Sequence, residues 1–309
     1  LMRDQVRQGA PNFSFVPAQR DLSLGNVFLQ DEIALSRTLA VIVGAKLEHN
    51  DYTGFECEPN LRVRWRVAED QLLWAAVSRA VRTPTRFDRD LAEPAPPHPA
   101  LISGGRDFVS ETLVAYELGY RATLGDAFTG SLSLFYNDYD RLRGLAVTPV
   151  TFIPLVYRNG LEAAAYGGEL SLEYRPGERW RLRGGYTYVE SDVRVKPGAS
   201  DLFNALDETA DPRHQLSLHA SVDVTPRLAF DTGVRWVDTL RVNDGSGQPA
   251  AVPSYTELDA RLGWRANDWL EPSLVGRNLL HARHPEFGPP GALRSELARS
   301  VYLQAECRF

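Results

Sequence analysis

Residues 111–140, ETLVAYELGYRATLGDAFTGSLSLFYNDYD, alternate with a period of two through two successive arms. Val114, Tyr116, Leu118 and Tyr120 are apolar or aromatic, while Ala115, Glu117, Gly119 and Arg121 between them are small or charged. Successive side chains of a strand point to opposite sides, so this pattern makes a ribbon with one apolar and one polar face. Gly125-Asp126 supplies a tight turn, after which Phe128, Leu132, Leu134 and Tyr136 alternate with Thr129, Ser131, Ser133 and Asn137. Each arm exceeds the roughly five or six residues of a soluble strand and matches the roughly 9–11 that a tilted strand needs to cross a bilayer.

The same alternation recurs along the chain. Leu61, Val63, Trp65 and Val67 alternate with Asn60, Arg62, Arg64 and Arg66. Arginines on one face cannot point into lipid or a dry core, so Arg62, Arg64 and Arg66 are expected to line a watery lumen. About thirteen strands are expected in all, the last carrying Val301, Leu303, Ala305, Cys307 and Phe309 on one side. Connections after Leu35, Val67, Leu124, Tyr174, Val224 and Ala266 are short, whereas residues 82–110, 141–160, 191–211, 239–253 and 281–293 read as long loops, the connection at Asn50 being the short exception among them. Short turns at one end and long loops at the other are the asymmetry of bacterial outer-membrane barrels. Tyr120, Phe128, Tyr136, Tyr174, Trp180, Trp236, Trp264 and Trp269 fall near strand ends, as interfacial aromatic girdles do.

The expected fold is therefore an all-β, antiparallel, up-and-down transmembrane β-barrel; a soluble sandwich or propeller, the alternative, uses shorter arms. Residues 1–20 read as loop. With an odd strand number the first and last strands run the same way, so an incomplete barrel is expected, unless residues 13–16 add a strand and allow closure at about fourteen.

Composition narrows the function classes. No apolar run approaches the roughly 18 residues of a membrane helix, and mean hydropathy is slightly negative, as suits strands that are apolar only at alternate positions. A net charge of −6 argues against nucleic acid as a partner. Cys57 and Cys307 are too few and too distant for a disulfide framework or a thiolate metal site, and both are expected on the apolar face. The start Leu1-Met2-Arg3 has no apolar signal region, so removal of an upstream segment is expected.

NVFLQDEIAL (26–35), LWAAVSRAVRTPTRFDRDL (73–91), ETLVAYELGYRATL (111–124), LSLFYNDYDRLRGL (132–145), YGGELSLEY (166–174), Asp-Pro-Arg-His (211–214) and GRNLLHARHPEF (276–287) resemble, in that order, the C-terminal part of TonB-dependent outer-membrane receptors. The terminal Phe309 fits the same family. The resemblance implies that residues 1–309 are the C-terminal portion of one barrel domain, lacking the plug and first strands. It also implies TonB-driven import of a scarce ligand, a ferric siderophore or cobalamin, with outer-membrane lipid and lipopolysaccharide around the barrel and the TonB complex engaged through the missing N-terminal part. A passive porin is the alternative.

Signals for chemistry are sparse. No serine-hydrolase, P-loop or dinucleotide motif occurs, so no enzyme activity and no cofactor are expected. His281-x-x-His284 sits beside Pro285 without helical spacing and reads as a solvated loop, not a metal pair. Asp88, Asp90, Asp138 and Asp140 read as exposed loop charges. Ligand contact is expected from guanidinium and aromatic groups on the outer loops, suited to an anionic or catecholate ligand: Arg82, Arg86, Phe87, Arg89 and Arg106 on one, Tyr139, Arg141, Arg143 and Tyr157 on the next. The counter-reading pairs the arginines of the first loop with Asp88, Asp90, Glu93 and Asp107, or has them hold lipopolysaccharide.

Overall fold

The computed structural model describes residues 2–5, 12–205, 211–243, 249–288, 291 and 294–308. Phe309 lies outside them. Thirteen long strands form one meandering sheet, each hydrogen-bonded to its predecessor and successor in the order of the chain. They are β1 (Leu24–Ala34), β2 (Leu39–Asn50), β3 (Gly54–Ala68), β4 (Gln71–Arg82), β5 (Glu111–Leu124), β6 (Phe128–Thr148) and β7 (Phe152–Gly177). The remainder are β8 (Trp180–Val195), β9 (His214–Thr225), β10 (Leu228–Val237), β11 (Tyr255–Trp264), β12 (Leu270–Arg277) and β13 (Ser300–Cys307). Every neighbouring pair is antiparallel, and β1 and β13 stand at the two free edges of the sheet.

Register carries the two-faced ribbon across the whole sheet. Tyr120 lies opposite both Leu73 and Leu132; Leu132 faces Leu170, which faces Tyr186, then Leu216, then Trp236. One residue away runs a polar row: Arg121, Ser131, Ser171, Gly185, Ser217, Arg235, Glu257. The apolar face is open rather than packed, with Leu29 74%, Phe55 73% and Leu303 81% exposed. A soluble sandwich would have covered such residues, and a continuous bare apolar face of this extent suits hydrocarbon. Cys57 and Cys307 are both exposed, Cys57 on the apolar face with Phe55 and Leu61. Among the described residues no helix is long and apolar enough to cross a membrane.

Two expectations need correction. Residues 141–160 are not a loop: β6 and β7 continue through them and turn only at 149–151. Register shifts between Tyr139 and Leu142, between Leu142 and Gly144, and between Ala146 and Thr148, with Arg141 in a left-handed conformation (φ 60°), break the alternation while the ladder persists. Residues 1–20 are not all loop either. Met2–Gln5 pairs with Gln19–Leu22, and Ser14–Phe15 pairs with Leu91–Glu93, so residues 13–16 do not supply a fourteenth barrel strand.

On the polar face Trp74 lies across Gly119, where an added Cβ would sit 2.2 Å from the indole ring. The guanidinium of Arg62 stacks over the other part of this arrangement, 5.6 Å from the Trp74 ring. Gly119→Ala is therefore expected to destabilise the folded barrel by about 1–3 kcal/mol, read from urea unfolding in detergent. In a Trp74→Ala background the same change should cost much less, and equal costs in both backgrounds would remove the contact from the account.

Candidate functional site

Six short turns, at 35–38, 69–70, 125–127, 178–179, 226–227 and 265–269, lie at one end of the sheet; two more, at 51–53 and 149–151, lie at the other. The longest ordered excursion, residues 83–110, also lies there. Thr85 starts it by capping a single helical turn, α1 (Arg86–Asp90): its amide donates to Asp88 Oδ2 (2.9 Å), and its hydroxyl oxygen accepts from the Asp88 amide (3.3 Å). The chain then runs through Leu91–Glu93, paired with Ser14–Phe15 and with Ile102–Ser103; the latter lies parallel beside Leu155 and Val156 of β7. Gly105 permits the close approach, since a Cβ there would meet the Tyr157 carbonyl at 2.0 Å. Phe108, Leu91 and Ala95 of the excursion are buried, as is Leu161 of β7.

Two carboxylates hold this piece together. Asp88, with no exposed surface, accepts from Arg82 (3.0 Å) and Arg143 (3.3 Å) as well as from Thr85. Arg82 is also bound in a fork by Glu111, at 2.6 Å to each oxygen. Asp90, 7% exposed, accepts from Arg20 (2.8 Å), Arg86 (3.2 Å) and the Tyr52 hydroxyl (3.0 Å). Burial and the bond to Asp90 push the Tyr52 phenol up to about 12. Burial alone would raise Asp88, but the Thr85 amide, Arg82 and the Thr85 hydroxyl outweigh it and hold the carboxyl below its ordinary value. Asp88 and Asp90 are thus buried anchors, contrary to their expected exposure; Asp138 and Asp140 are exposed.

The sequence-derived ligand residues divide accordingly. Arg86 is 5% exposed, bound to Asp90 and the Pro17 and Ala18 carbonyls, and stacked on Phe15. Arg82 is tied to Asp88 and Glu111, and Arg89 reaches the Tyr52 carbonyl (2.9 Å) and the Arg106 carbonyl. Phe87 (40% exposed) meets the Tyr157 ring at 5.4 Å, and Arg143 stacks over the same tyrosine at 5.4 Å. The Arg106 side chain is exposed. Tyr139 is half-buried in β6, near Asn137, and Arg141 lies 3.6 Å from Asp140. Beside α1 an open cleft of about 700 Å³ is lined by Phe15, Tyr52, Pro84, Arg86 and Phe87. Sequence reasoning missed Arg20, Tyr52 and Glu111, whose positions near strand ends carry no signal; the Thr85-x-x-Asp88 cap was readable.

Of the predicted lumen arginines, Arg64 already pairs with Glu32 on the wall itself, while Arg62 stacks on Trp74. Arg64 and Arg66 line a hollow at the short-turn end together with Glu69 and Asp70. A further correction concerns His281 and His284. His284 is 4% exposed and both rings converge on Glu257, itself fully buried, so the pair is not a solvated loop.

Residues 3–279 match the family model described as TonB dependent receptor-like, beta-barrel. The chain belongs to the TonB-dependent receptor family. Its open sheet is of the outer-membrane β-barrel type, in a family of receptors rather than enzymes. It is 27% identical over 146 residues to a probable TonB-dependent siderophore receptor, PiuA, of Acinetobacter baumannii, covering 44% of this chain and 19% of that protein. It is 30% identical over 116 residues to the catecholate siderophore receptor Fiu of Escherichia coli, covering 37% and 15% respectively. Among solved structures, the ferric enterobactin receptor PfeA of Pseudomonas aeruginosa superimposes with a TM-score of 0.76 at 18% identity, over 94% of this chain and 46% of that one. The siderophore receptor PirA of Acinetobacter baumannii gives 0.75 at 17%, over 94% and 46%. The chain thus spans about half the length of these structures and less of the curated relatives.

Asp88→Asn is expected to loosen the excursion by about 1–3 kcal/mol, a range discounted because Arg82 and Arg143 remain 41% and 42% exposed. Because the folded carboxyl titrates below its unfolded value of about 4, its contribution is complete above that value and is lost as pH falls through the folded one. Hydrogen exchange of residues 86–105 should rise at acid pH in the native protein, and Asp88→Asn should show the raised exchange already at pH 7.

Proposed function

We propose that this chain forms part of the barrel of an outer-membrane receptor that imports a ferric siderophore of the catecholate class, driven by the TonB complex. The observation that carries the reading is the exposed set at the loop-bearing end: Phe87 against Tyr157, Arg143 over the same ring, and the open guanidinium of Arg106. A ferric tris-catecholate is a planar-armed, multiply charged anion, and stacking surfaces interleaved with guanidinium groups are complementary to it. The siderophore-receptor relatives support the same ligand class, and nothing in the architecture favours a passive porin. Arg82, Arg86 and Arg89, occupied by carboxylates and carbonyls, act in this account by shaping the excursion rather than by touching ligand.

Outer-membrane lipid and lipopolysaccharide surround the apolar face. Cobalamin, which has no comparable anionic arms, is the weaker fit.

The full-length protein in detergent should bind ferric enterobactin saturably, with Phe87→Ala and Arg106→Ala each weakening binding about tenfold, near 1.4 kcal/mol. Both side chains are exposed, so the variants should fold. Affinity unchanged in both would remove this surface as the ligand site, and ohmic conductance of the full-length protein in planar bilayers would favour a pore instead.

A further inference from the structure

We infer that Glu257, His281 and His284 form a binding site for a divalent transition cation of the zinc class. Glu257 comes from the loop-end of β11, and the two histidines from the segment that follows β12. That segment folds back onto β11: the Leu279 amide donates to the Leu258 carbonyl (2.9 Å) and the Leu280 amide to Glu257 Oε2 (3.2 Å). The ligand atoms, one carboxylate oxygen and two imidazole nitrogens, all lie within 4.8 Å of one another.

Hydrogen-bonding logic at His284 points to a cation. Its Nε2 lies 2.9 Å from Glu286 Oε1, and Glu286 is itself held by Arg235. An ionised carboxylate only accepts, so Nε2 carries its hydrogen and a neutral ring must present a bare lone pair at Nδ1. That Nδ1 is buried, has no hydrogen-bond partner, and lies 3.1 Å from Glu257 Oε1. Two electron-rich atoms brought face to face in a buried place repel unless positive charge lies between them. His281 Nδ1 approaches the same oxygen at 2.6 Å from a half-exposed position.

The donor set selects the metal class. Two nitrogens and one carboxylate oxygen suit zinc and its first-row neighbours, whereas calcium and magnesium take oxygen. Glu286 behind His284 supplies the outer carboxylate that fixes the tautomer and aims the ring, and Tyr255 packs on its face at 4.8 Å between ring centres. With three protein ligands and His281 47% exposed, a fourth position is left toward solvent. The bound cation would fasten the segment after β12 to β11, a role separate from the Asp88–Asp90 excursion.

The test is calorimetric titration of the chelator-stripped, full-length protein in detergent with zinc chloride, and with cobalt chloride followed by ligand-field absorption. One equivalent of zinc should bind. Glu257→Gln and His281→Ala should each weaken it at least tenfold and abolish the tetrahedral cobalt spectrum, and Glu286→Gln should weaken it less. His281→Ala trims a side chain at the surface, so its folded state, checked by heat-modifiable gel mobility, keeps the comparison valid if Glu257→Gln misfolds. Absence of stoichiometric binding by the folded native protein overturns the site. Binding undiminished in folded His281→Ala overturns it equally.

Discussion

A backbone amide or carbonyl in hydrocarbon has no water to bond, and each one left unpaired costs several kcal/mol. The continuous antiparallel ladder from β1 to β13 answers this constraint, because every interior strand is bonded on both sides. Once the ladder is obligatory, register decides everything else. A slip of one residue would turn Tyr120, Leu132, Leu170 and Tyr186 toward water, and Arg121, Ser131 and Ser171 toward lipid. Apolar and polar rows lie one residue apart on the strands, which is why a chain of slightly negative mean hydropathy can still present a broad apolar face.

Beyond the membrane the same demand for satisfied polar groups takes another form. Residues 83–110 leave the ladder, and their polar groups are gathered on two buried carboxylates instead. Asp88 and Asp90 tie α1 to β4, to β6, to the β2–β3 tip at Tyr52 and to Arg20 from the N-terminal side. Each buried charge has several donors, the condition under which burial is tolerated. The excursion is thereby held rigid against β7, while Phe87 and Arg106 remain open on its surface. Arg82, Arg86 and Arg89 are thus bound within the protein and build the rim, whereas Arg106 stays exposed.

Period-two alternation made the strands legible, since lipid on one side and water on the other leave no freedom in the pattern. Legibility failed where that rule lapses. Along residues 141–160 the register shifts near Leu142 and Gly144 interchange the faces, so an extended ladder looks patternless. The family resemblance was readable from GRNLLHARHPEF and its companions. The clustering of His281 and His284 with Glu257 was not, because the acid sits in another strand and no local spacing encodes their meeting. Within residues 82–110, which arginines face an acid and which face solvent was not legible, because it depends on Tyr52, Glu111 and Asp90 converging from afar.

Spin labels placed one at a time at residues 131–136 of β6, in the full-length protein reconstituted into lipid, test the two-faced sheet most directly. Labels replacing Leu132, Leu134 and Tyr136 should collide with dissolved oxygen and not with a water-soluble nickel chelate, and labels at Ser131, Ser133 and Phe135 should do the reverse. Accessibility that fails to alternate, or that alternates with the opposite phase, would contradict the membrane-spanning register.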